Sequence, residues 1–178
     1  MAPALPLDDD ELARRARELE WLLLDVDGVL TDGRLLYTAE GEAMKAFHVR
    51  DGLGIRRARQ AGLKVGVLSG RRSPALERRA RDLALDALVT GRDDKGPAFQ
   101  ELLAAHGTTA ERVAYVGDDL QDLPVLERCG LAFAPADAVP EVRARVHRVL
   151  AARGGEGAVR EVADLLVRAR GTGPRPAG

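Results

Sequence analysis

Two aspartates, Asp25 and Asp27, stand at the end of an apolar run and are followed directly by Gly28. Residues two positions apart in a strand project to the same side, so both carboxylates point into one small volume. Two like charges at the end of a buried strand are costly unless a cation or a reacting group lies between them. The pair therefore indicates chemistry, although aspartate before glycine is also common in plain strand-end turns.

Further polar groups follow later predicted strands, at Ser69-Gly70-Arg71, at Lys95 and at Asp118-Asp119. Ligands of open parallel sheets bind outside the carboxyl ends of the strands, so all these groups are expected in one crevice. Taken singly, each has an ordinary explanation, because serine and aspartate cap helices and most lysines lie on the surface. Their occurrence in this order, each beyond a strand end, favours a catalytic site.

These residue types suit phosphoryl transfer. Asp25, Asp118 and a backbone carbonyl near Asp27 offer the hard oxygen ligands that Mg²⁺ prefers. A phosphoryl group beside that ion would meet Lys95, the Ser69 hydroxyl and nearby backbone N–H groups. Asp25 would attack phosphorus, and Asp27 would first protonate the departing alkoxide and then deprotonate water. The predicted reaction is hydrolysis of a phosphate ester through an aspartyl-phosphate.

The elements that must position these groups alternate along the chain. A helix is predicted over 8–20, a strand over 21–26, a β-hairpin flap over 34–49 and a helix over 51–61. Later strands are predicted at 64–68, 87–89, 112–116, 131–134 and 146–150, and later helices at 74–83, 95–106, 121–128, 140–145 and 157–169. Repeated βα units predict a three-layer α/β sandwich with an open, mainly parallel, Rossmann-like sheet. We expect one domain over 1–178 with a loose Gly/Pro-rich tail at 171–178.

Composition excludes several classes of function. The 178 residues carry 27 basic and 28 acidic side chains, interleaved to a net charge of −1, so no nucleic-acid or membrane-surface partner is expected. Cys129 is the single cysteine and is expected to be a buried, inert thiol. No apolar run reaches the roughly 20 residues of a membrane span, and the acidic N-terminus is unlike a signal peptide. A soluble cytoplasmic protein is expected.

Four motifs, in this order and spacing, resemble those of the haloacid dehalogenase superfamily of phosphohydrolases. They are the segments 25–31 (DVDGVLT), 68–70 (LSG), the lysine at 95 and 117–122 (GDDLQD). The resemblance implies that Asp25 is the nucleophile and an Mg²⁺ ligand, with Asp118 as a second ligand. It also implies that Asp27 is the acid/base and binds the metal through its carbonyl oxygen.

The same resemblance assigns the remaining polar residues of the motifs. Ser69, Gly70 and Lys95 would bind the phosphate. Asp119 and Asp122 would hold the water shell of the metal and Lys95.

Other segments resemble a narrower family, the 3-deoxy-D-manno-octulosonate 8-phosphate phosphatases: 27–33 (DGVLTDG), 47–54 (FHVRDGLG), 69–74 (SGRRSP) and 154–161 (GGEGAVRE). This resemblance implies a phosphorylated eight-carbon sugar acid as substrate, in lipopolysaccharide precursor synthesis. It also implies a homotetramer whose neighbouring subunits cover each site. The spacing agrees, since no insertion between motifs is long enough for a cap domain and only the hairpin at 34–49 is available as a flap.

Candidate substrate-binding residues are Thr31, Arg50, Arg71 and Arg79. The arginines are candidates because arginine binds carboxylates and phosphates bidentately. The alternative for each arginine is a solvated residue in an arginine-rich chain, and His48 is expected to pack in the hairpin. Three other functions stay open. They are a phosphatase for a nine-carbon sugar acid or another small sugar phosphate, a receiver-like phospho-acceptor module, and an inactive oligomerisation scaffold. A contribution of the tail to a neighbouring site is also open.

Overall fold

The computed structural model describes residues 6–171. Strands and helices alternate through most of this range. The strands are β1 Trp21–Leu24, β2 Leu36–Thr38, β3 Gly41–Met44, β4 Lys64–Leu68, β5 Ala87–Val89, β6 Val113–Val116, β7 Leu131–Ala134 and β8 Arg148–Val149. The helices are α1 Asp9–Glu18, α2 Val49–Gln60, α3 Pro74–Leu83, α4 Lys95–His106, α5 Leu123–Leu126, α6 Pro140–Arg143 and α7 Ala158–Ala169.

Six strands form one parallel sheet in the order β5-β4-β1-β6-β7-β8, and β2 pairs with β3 in a separate antiparallel hairpin. β1 lies at the centre of the sheet, between β4 and β6, and all four of its residues are buried and apolar. Parallel strands covered on both faces require such continuous apolar runs. The predicted α/β fold with a mainly parallel sheet and a hairpin after the first strand is confirmed.

Two apolar cores cover the two faces of the sheet. On one face, Leu22 and Leu24 of β1 pack in a core that includes residues of α1, α2, α3 and α7. On the other, Trp21 and Leu23 pack with residues of α4, α5 and α6. Cys129 belongs to this second core, where burial raises the pKa of its thiol to about 12. The expectation of a buried cysteine is confirmed.

Several predicted boundaries were wrong, for local reasons. α2 begins at Val49 rather than at 51, because His48 caps it through Nδ1, which accepts the Arg50 N–H at 3.2 Å. The expected packing role of His48 is therefore a capping role. The predicted helix at 121–128 is a 3-10 turn over Leu120–Asp122 followed by the four-residue α5. The first strand ends at Leu24, the hairpin strands are shorter than 34–49, and the last strand shrinks to β8.

The predicted tail lies almost wholly outside the described residues, which end at 171.

Two of the motifs that carried the narrower resemblance meet where α2 packs on α7. Asp51 of α2 is buried, and its Oδ1 accepts the Arg160 N–H of α7 at 2.7 Å. Gly54 allows this approach, since a Cβ there would lie 2.8 Å from the Arg160 Cα. The loop before α7 in turn contacts the loop after β1, because a Cβ at Gly154 would lie 1.8 Å from the Gly28 carbonyl oxygen. These two motifs therefore support the loop that follows β1.

Replacing Asp51 by alanine is expected to lower the free energy of unfolding by about 1–3 kcal/mol, because the first turn of α7 loses a buried acceptor. Urea unfolding of the purified protein measures this loss. Asp82→Ala is the matched control, since within residues 6–171 Asp82 pairs only with Arg78 on an exposed helix face, and its loss is expected to change stability by less than about 0.5 kcal/mol. Equal effects of the two substitutions would contradict the capping role.

Candidate active site

A buried lysine joins two buried carboxylates at the carboxyl edge of the sheet. Lys95, the first residue of α4, places Nζ 2.8 Å from Asp25 Oδ1 and 2.7 Å from Asp122 Oδ1, and its side chain is fully buried. The Tyr115 hydroxyl donates to the same Asp122 oxygen at 2.6 Å. Burial alone would lower the pKa of Lys95, but the Asp25 and Asp122 charges outweigh it and raise that pKa. Lys95 is therefore a fixed positive charge in the site.

Asp118 adds a third carboxylate whose charge this lysine does not neutralise. Oxygens of Asp25, Asp118 and Asp122 lie within 4.8 Å of one another. Burial, followed by the charges of the other two carboxylates, raises the pKa of Asp118 to about 8. Burial and Asp122 likewise raise the pKa of Asp25 to about 6, against the opposing effect of Lys95. Within the described part of the chain, the buried Asp118 Oδ1 has no hydrogen-bond partner.

This arrangement fits a divalent cation with oxygen ligands. The Asp122 oxygens are already occupied, since Oδ1 accepts from Lys95 and Tyr115 and Oδ2 accepts the Asp118 N–H at 2.9 Å. Asp25 and Asp118 are thus the carboxylates with capacity left for a metal. Asp122 lies where the sequence predicted it, next to Lys95.

Gly28 brings the backbone after Asp27 against this cluster. It adopts a left-handed conformation with φ of 89°, and a Cβ at this position would lie 2.0 Å from Asp118 Oδ2. Glycine alone gives the turn without strain and leaves room for the carboxylate. The main chain that follows Asp27 therefore passes next to Asp118, which supports the prediction that the Asp27 carbonyl is a metal ligand.

The Asp27 side chain has different neighbours from the Asp25 side chain. Lys45 of the hairpin segment donates to Asp27 Oδ1, and Arg71 Nε lies 3.7 Å from Asp27 Oδ2. Asp27 keeps 20% of its side chain exposed, whereas Asp25 keeps 4%. Lys45 was not among the site residues predicted from the sequence. A signal was available, because Lys45 is one of only three lysines among 27 basic residues.

The end of β4 supplies the residues predicted to bind phosphate. Ser69 is buried, its N–H donates to the Val89 carbonyl at 2.9 Å, and its hydroxyl accepts the Arg71 N–H at 3.3 Å. Gly70 follows it directly and packs near Asp93, since a Cβ at Gly70 would lie 3.0 Å from Asp93 Oδ1. The Arg71 guanidinium donates to the Tyr37 hydroxyl of the hairpin. Ser69 and Gly70 thus lie at the same sheet edge as Asp25.

Two of the four remaining predicted site residues have local side-chain partners. The Thr31 hydroxyl donates to the Val26 carbonyl at 3.3 Å and accepts the Gly33 N–H, inside the loop itself. The Asp119 carboxylate caps the 3-10 turn. The other two are arginines.

Arg50 is exposed at the start of α2. The Arg79 guanidinium lies 5.7 Å from the centre of the Phe47 ring. The substrate roles of Thr31, Arg50, Arg71 and Arg79, and the metal-water role of Asp119, stay predictions.

Comparison with known proteins agrees with this geometry. Residues 43–130 match the family model described as haloacid dehalogenase-like hydrolase. The 3-deoxy-D-manno-octulosonate 8-phosphate phosphatase of Haemophilus influenzae is 47% identical over 90% of this chain and 89% of its own. The Escherichia coli phosphatase of the same name is 45% identical over 93% and 88%. The chain belongs to the family of 3-deoxy-D-manno-octulosonate 8-phosphate phosphatases.

Solved structures of this phosphatase family have the same fold. The cobalt-bound phosphatase of H. influenzae matches with a TM-score of 0.86 and 48% identity, over 88% of this chain and 92% of that one. The Moraxella catarrhalis phosphatase, in complex with magnesium ion, phosphate ion and the eight-carbon sugar acid, matches with a TM-score of 0.87 and 36% identity, over 90% and 92%. From residue 6 to residue 171, no helix has the length and apolar character needed to cross a membrane.

The carboxylate cluster predicts a pH dependence of stability for the metal-free protein. The pKa of Asp118 is about 8 in the folded state against an ordinary value of 3.8, so the folded state holds a proton that the unfolded chain releases. This contribution is complete below about pH 4 and is lost as the pH rises through about 8. We expect the melting temperature in EDTA to fall over this range, and Mg²⁺ to stabilise the protein most at its upper end.

Thermal unfolding across this pH range, with EDTA or with Mg²⁺, measures the effect. Asp118→Asn is expected to flatten the slope in EDTA, and the exposed Asp82→Asn control is expected to leave it unchanged. An identical slope for wild type and Asp118→Asn would refute the assignment.

Proposed function

We propose that this protein hydrolyses 3-deoxy-D-manno-octulosonate 8-phosphate to the free sugar acid and phosphate, with Mg²⁺ as cofactor. The observation that carries the proposal is the pairing of Asp25 with buried Lys95, with Asp118 and the Asp27 backbone turn against them. The narrower family, to which relatives of 45–47% identity belong, supplies the substrate. A Moraxella catarrhalis relative binds magnesium ion, phosphate ion and the sugar acid product, which supports both the cofactor and the substrate class.

Asp25, Asp118 and the Asp27 carbonyl would hold the Mg²⁺ ion. When bound, the ion supplies positive charge that offsets these carboxylates and the phosphoryl oxygens. Lys95 supplies a second, permanent charge beside Asp25, and the Ser69 hydroxyl with the Gly70 N–H would bind phosphoryl oxygens. Because Lys95 is also bound by Asp122, its ammonium is held in place before the substrate arrives.

The chemistry proceeds in two displacements. An Asp25 oxygen forms a bond to phosphorus, the bond from phosphorus to the ester oxygen breaks, and Asp27 gives its proton to that oxygen. In the second step Asp27 takes a proton from water, whose oxygen attacks phosphorus and releases phosphate and the Asp25 carboxylate. The two aspartates can divide these roles because Asp25 is buried against Lys95, whereas Asp27 is 20% exposed and contacts Lys45 of the hairpin segment.

A phosphate-release assay across sugar acid phosphates tests the function. With Mg²⁺, the highest kcat/KM is expected for the eight-carbon substrate, and EDTA is expected to abolish release. Asp25→Asn is the matched control, because it keeps the shape of the nucleophile and removes its charge, and it is expected to lose essentially all turnover. A higher kcat/KM on a nine-carbon sugar acid phosphate would assign that substrate instead. No phosphate release from any ester would refute the proposal.

Asp27→Asn is expected to slow both displacements, by about 10²–10⁴-fold in kcat, because the variant can neither give nor take the proton. With an ester whose leaving group needs no proton, the second step becomes the slower one and phosphorylated Asp25 is expected to accumulate. Intact-protein mass spectrometry after rapid quenching detects the added phosphate. Turnover of the sugar phosphate at the wild-type rate would exclude Asp27 as the acid/base.

We also propose that the protein is a single-domain enzyme that works in the cytoplasm, in lipopolysaccharide precursor synthesis, and assembles as a homotetramer. The surface near the hairpin supports the assembly. Large apolar side chains there are well exposed, with Tyr37 at 58%, Met44 at 59% and Val49 at 79%. Several exposed large apolar side chains in one segment are typical of interfaces between subunits. A neighbouring subunit on the hairpin would complete the exclusion of water from the site.

The mass in solution is expected to equal that of four 19.1 kDa chains in light scattering after gel filtration. Met44→Glu is expected to shift the protein towards smaller species, because it places a charge in the apolar interface. Leu88→Glu is the control, since Leu88 is an exposed leucine of β5, outside the hairpin. A monomeric wild-type protein would refute the assembly.

A further inference from the structure

The hairpin reaches the active site of its own chain through one buried lysine. The Lys45 side chain is only 2% exposed, although Ala43 and Met44, the two residues before it, are exposed. Its ammonium donates to Asp27 Oδ1 and lies 3.4 Å from Glu42 Oε2. A buried lysine is stable only when it is paired, so this side chain is held by the site and not by solvent.

Glu42 is a second carboxylate beside the Lys45 ammonium. The Ser73 hydroxyl donates to Glu42 Oε1 and itself accepts the Leu76 N–H at the start of α3. Burial would raise the pKa of Glu42, but the Ser73 hydrogen bond and the Lys45 charge lower it overall, so Glu42 is a carboxylate. The position of the Lys45 ammonium is therefore fixed by α3 through Glu42 and does not depend on Asp27 alone.

The two oxygens of Asp27 are consequently unequal. Oδ1 is bound by Lys45, whereas Arg71 Nε lies 3.7 Å from Oδ2, beyond hydrogen-bond distance. We propose that Lys45 is a positioning residue that holds Asp27 Oδ1 and leaves Oδ2 to exchange the proton, a proposal that rests on the function proposed above. In the first displacement, the proton on Oδ2 moves to the ester oxygen while the bond from that oxygen to phosphorus breaks and the Asp25–phosphorus bond forms.

A positioning role predicts a specific kinetic signature. A well-placed proton donor accelerates departure of a basic alkoxide by about 10²–10⁴-fold, and small misplacements forfeit much of that gain. A leaving group that is already a stable anion, such as p-nitrophenolate, needs no proton. Loss of Lys45 should therefore penalise sugar phosphate esters and spare p-nitrophenyl phosphate in the phosphorylation step. A residue that served folding or general phosphate binding would slow both alike.

The experiment measures the first displacement alone, as alcohol release in a single turnover with the Mg²⁺-loaded full chain. For Lys45→Met we expect a loss of at least about tenfold on the sugar acid phosphate and a change of less than about threefold on p-nitrophenyl phosphate. Lys45→Arg is expected to restore most of the rate on the sugar phosphate. Lys64→Met is the control and is expected to change neither rate. Lys64 is the first residue of β4 and so lies at the amino end of the strands, away from the site at their carboxyl ends.

Each further outcome has a definite meaning. Equal losses on both substrates, or an unchanged rate on the sugar phosphate, would overturn the positioning role. Should Lys45→Met fail to fold in a melting assay, Glu42→Gln tests the same proposal, because it weakens the anchor and is expected to give a smaller loss with the same selectivity. Selectivity absent there as well would overturn the proposal. Failure of the proposed function is distinct, since the wild type would then release phosphate from no ester.

Discussion

The site depends on one ion pair, the buried ammonium of Lys95 between Asp25 and Asp122. A charge without solvent is tolerated only beside its opposite, and here it joins β1, the start of α4 and the turn after β6. Without Lys95, the buried carboxylates of Asp25 and Asp122 would lose the ammonium that pairs with them. With Lys95 in place, the negative charge of the three carboxylates is still not neutralised, as the raised pKa of Asp118 indicates. The fold thus leaves an excess of negative charge that a divalent cation would neutralise.

The position of the hairpin gives Asp25 and Asp27 different surroundings. Asp25 and Asp27 are two residues apart, yet Asp25 is buried beside Lys95 and Asp27 contacts Lys45 of the hairpin segment. The proposed nucleophile and the proposed proton carrier therefore have separate environments. The hairpin contributes polar groups inward, through Lys45 and Glu42, and apolar groups outward. The hairpin segment thus contributes both to the side-chain cluster around Asp27 and to an exposed apolar surface.

Much of this architecture was readable from the sequence. The bounds of β4, α3, β5, α4 and β7 agree with the predictions, because each apolar run ends at a cap or turn residue. Asp25, Ser69 and Asp118 were found because strand ends of a parallel sheet meet at one edge. Lys45 could not be found that way, since its contact with Asp27 depends on how the hairpin folds back across the site. No local pattern encodes that angle.

The contact between Gly154 and the Gly28 carbonyl has a consequence for biosynthesis. The loop after β1 contacts a segment near residue 154, over 120 positions later in the chain. On the ribosome, Asp25, Asp27, Lys95 and Asp118 are therefore all synthesised before this segment. A nascent chain that ends before residue 154 carries these side chains without the contact that supports the loop after β1.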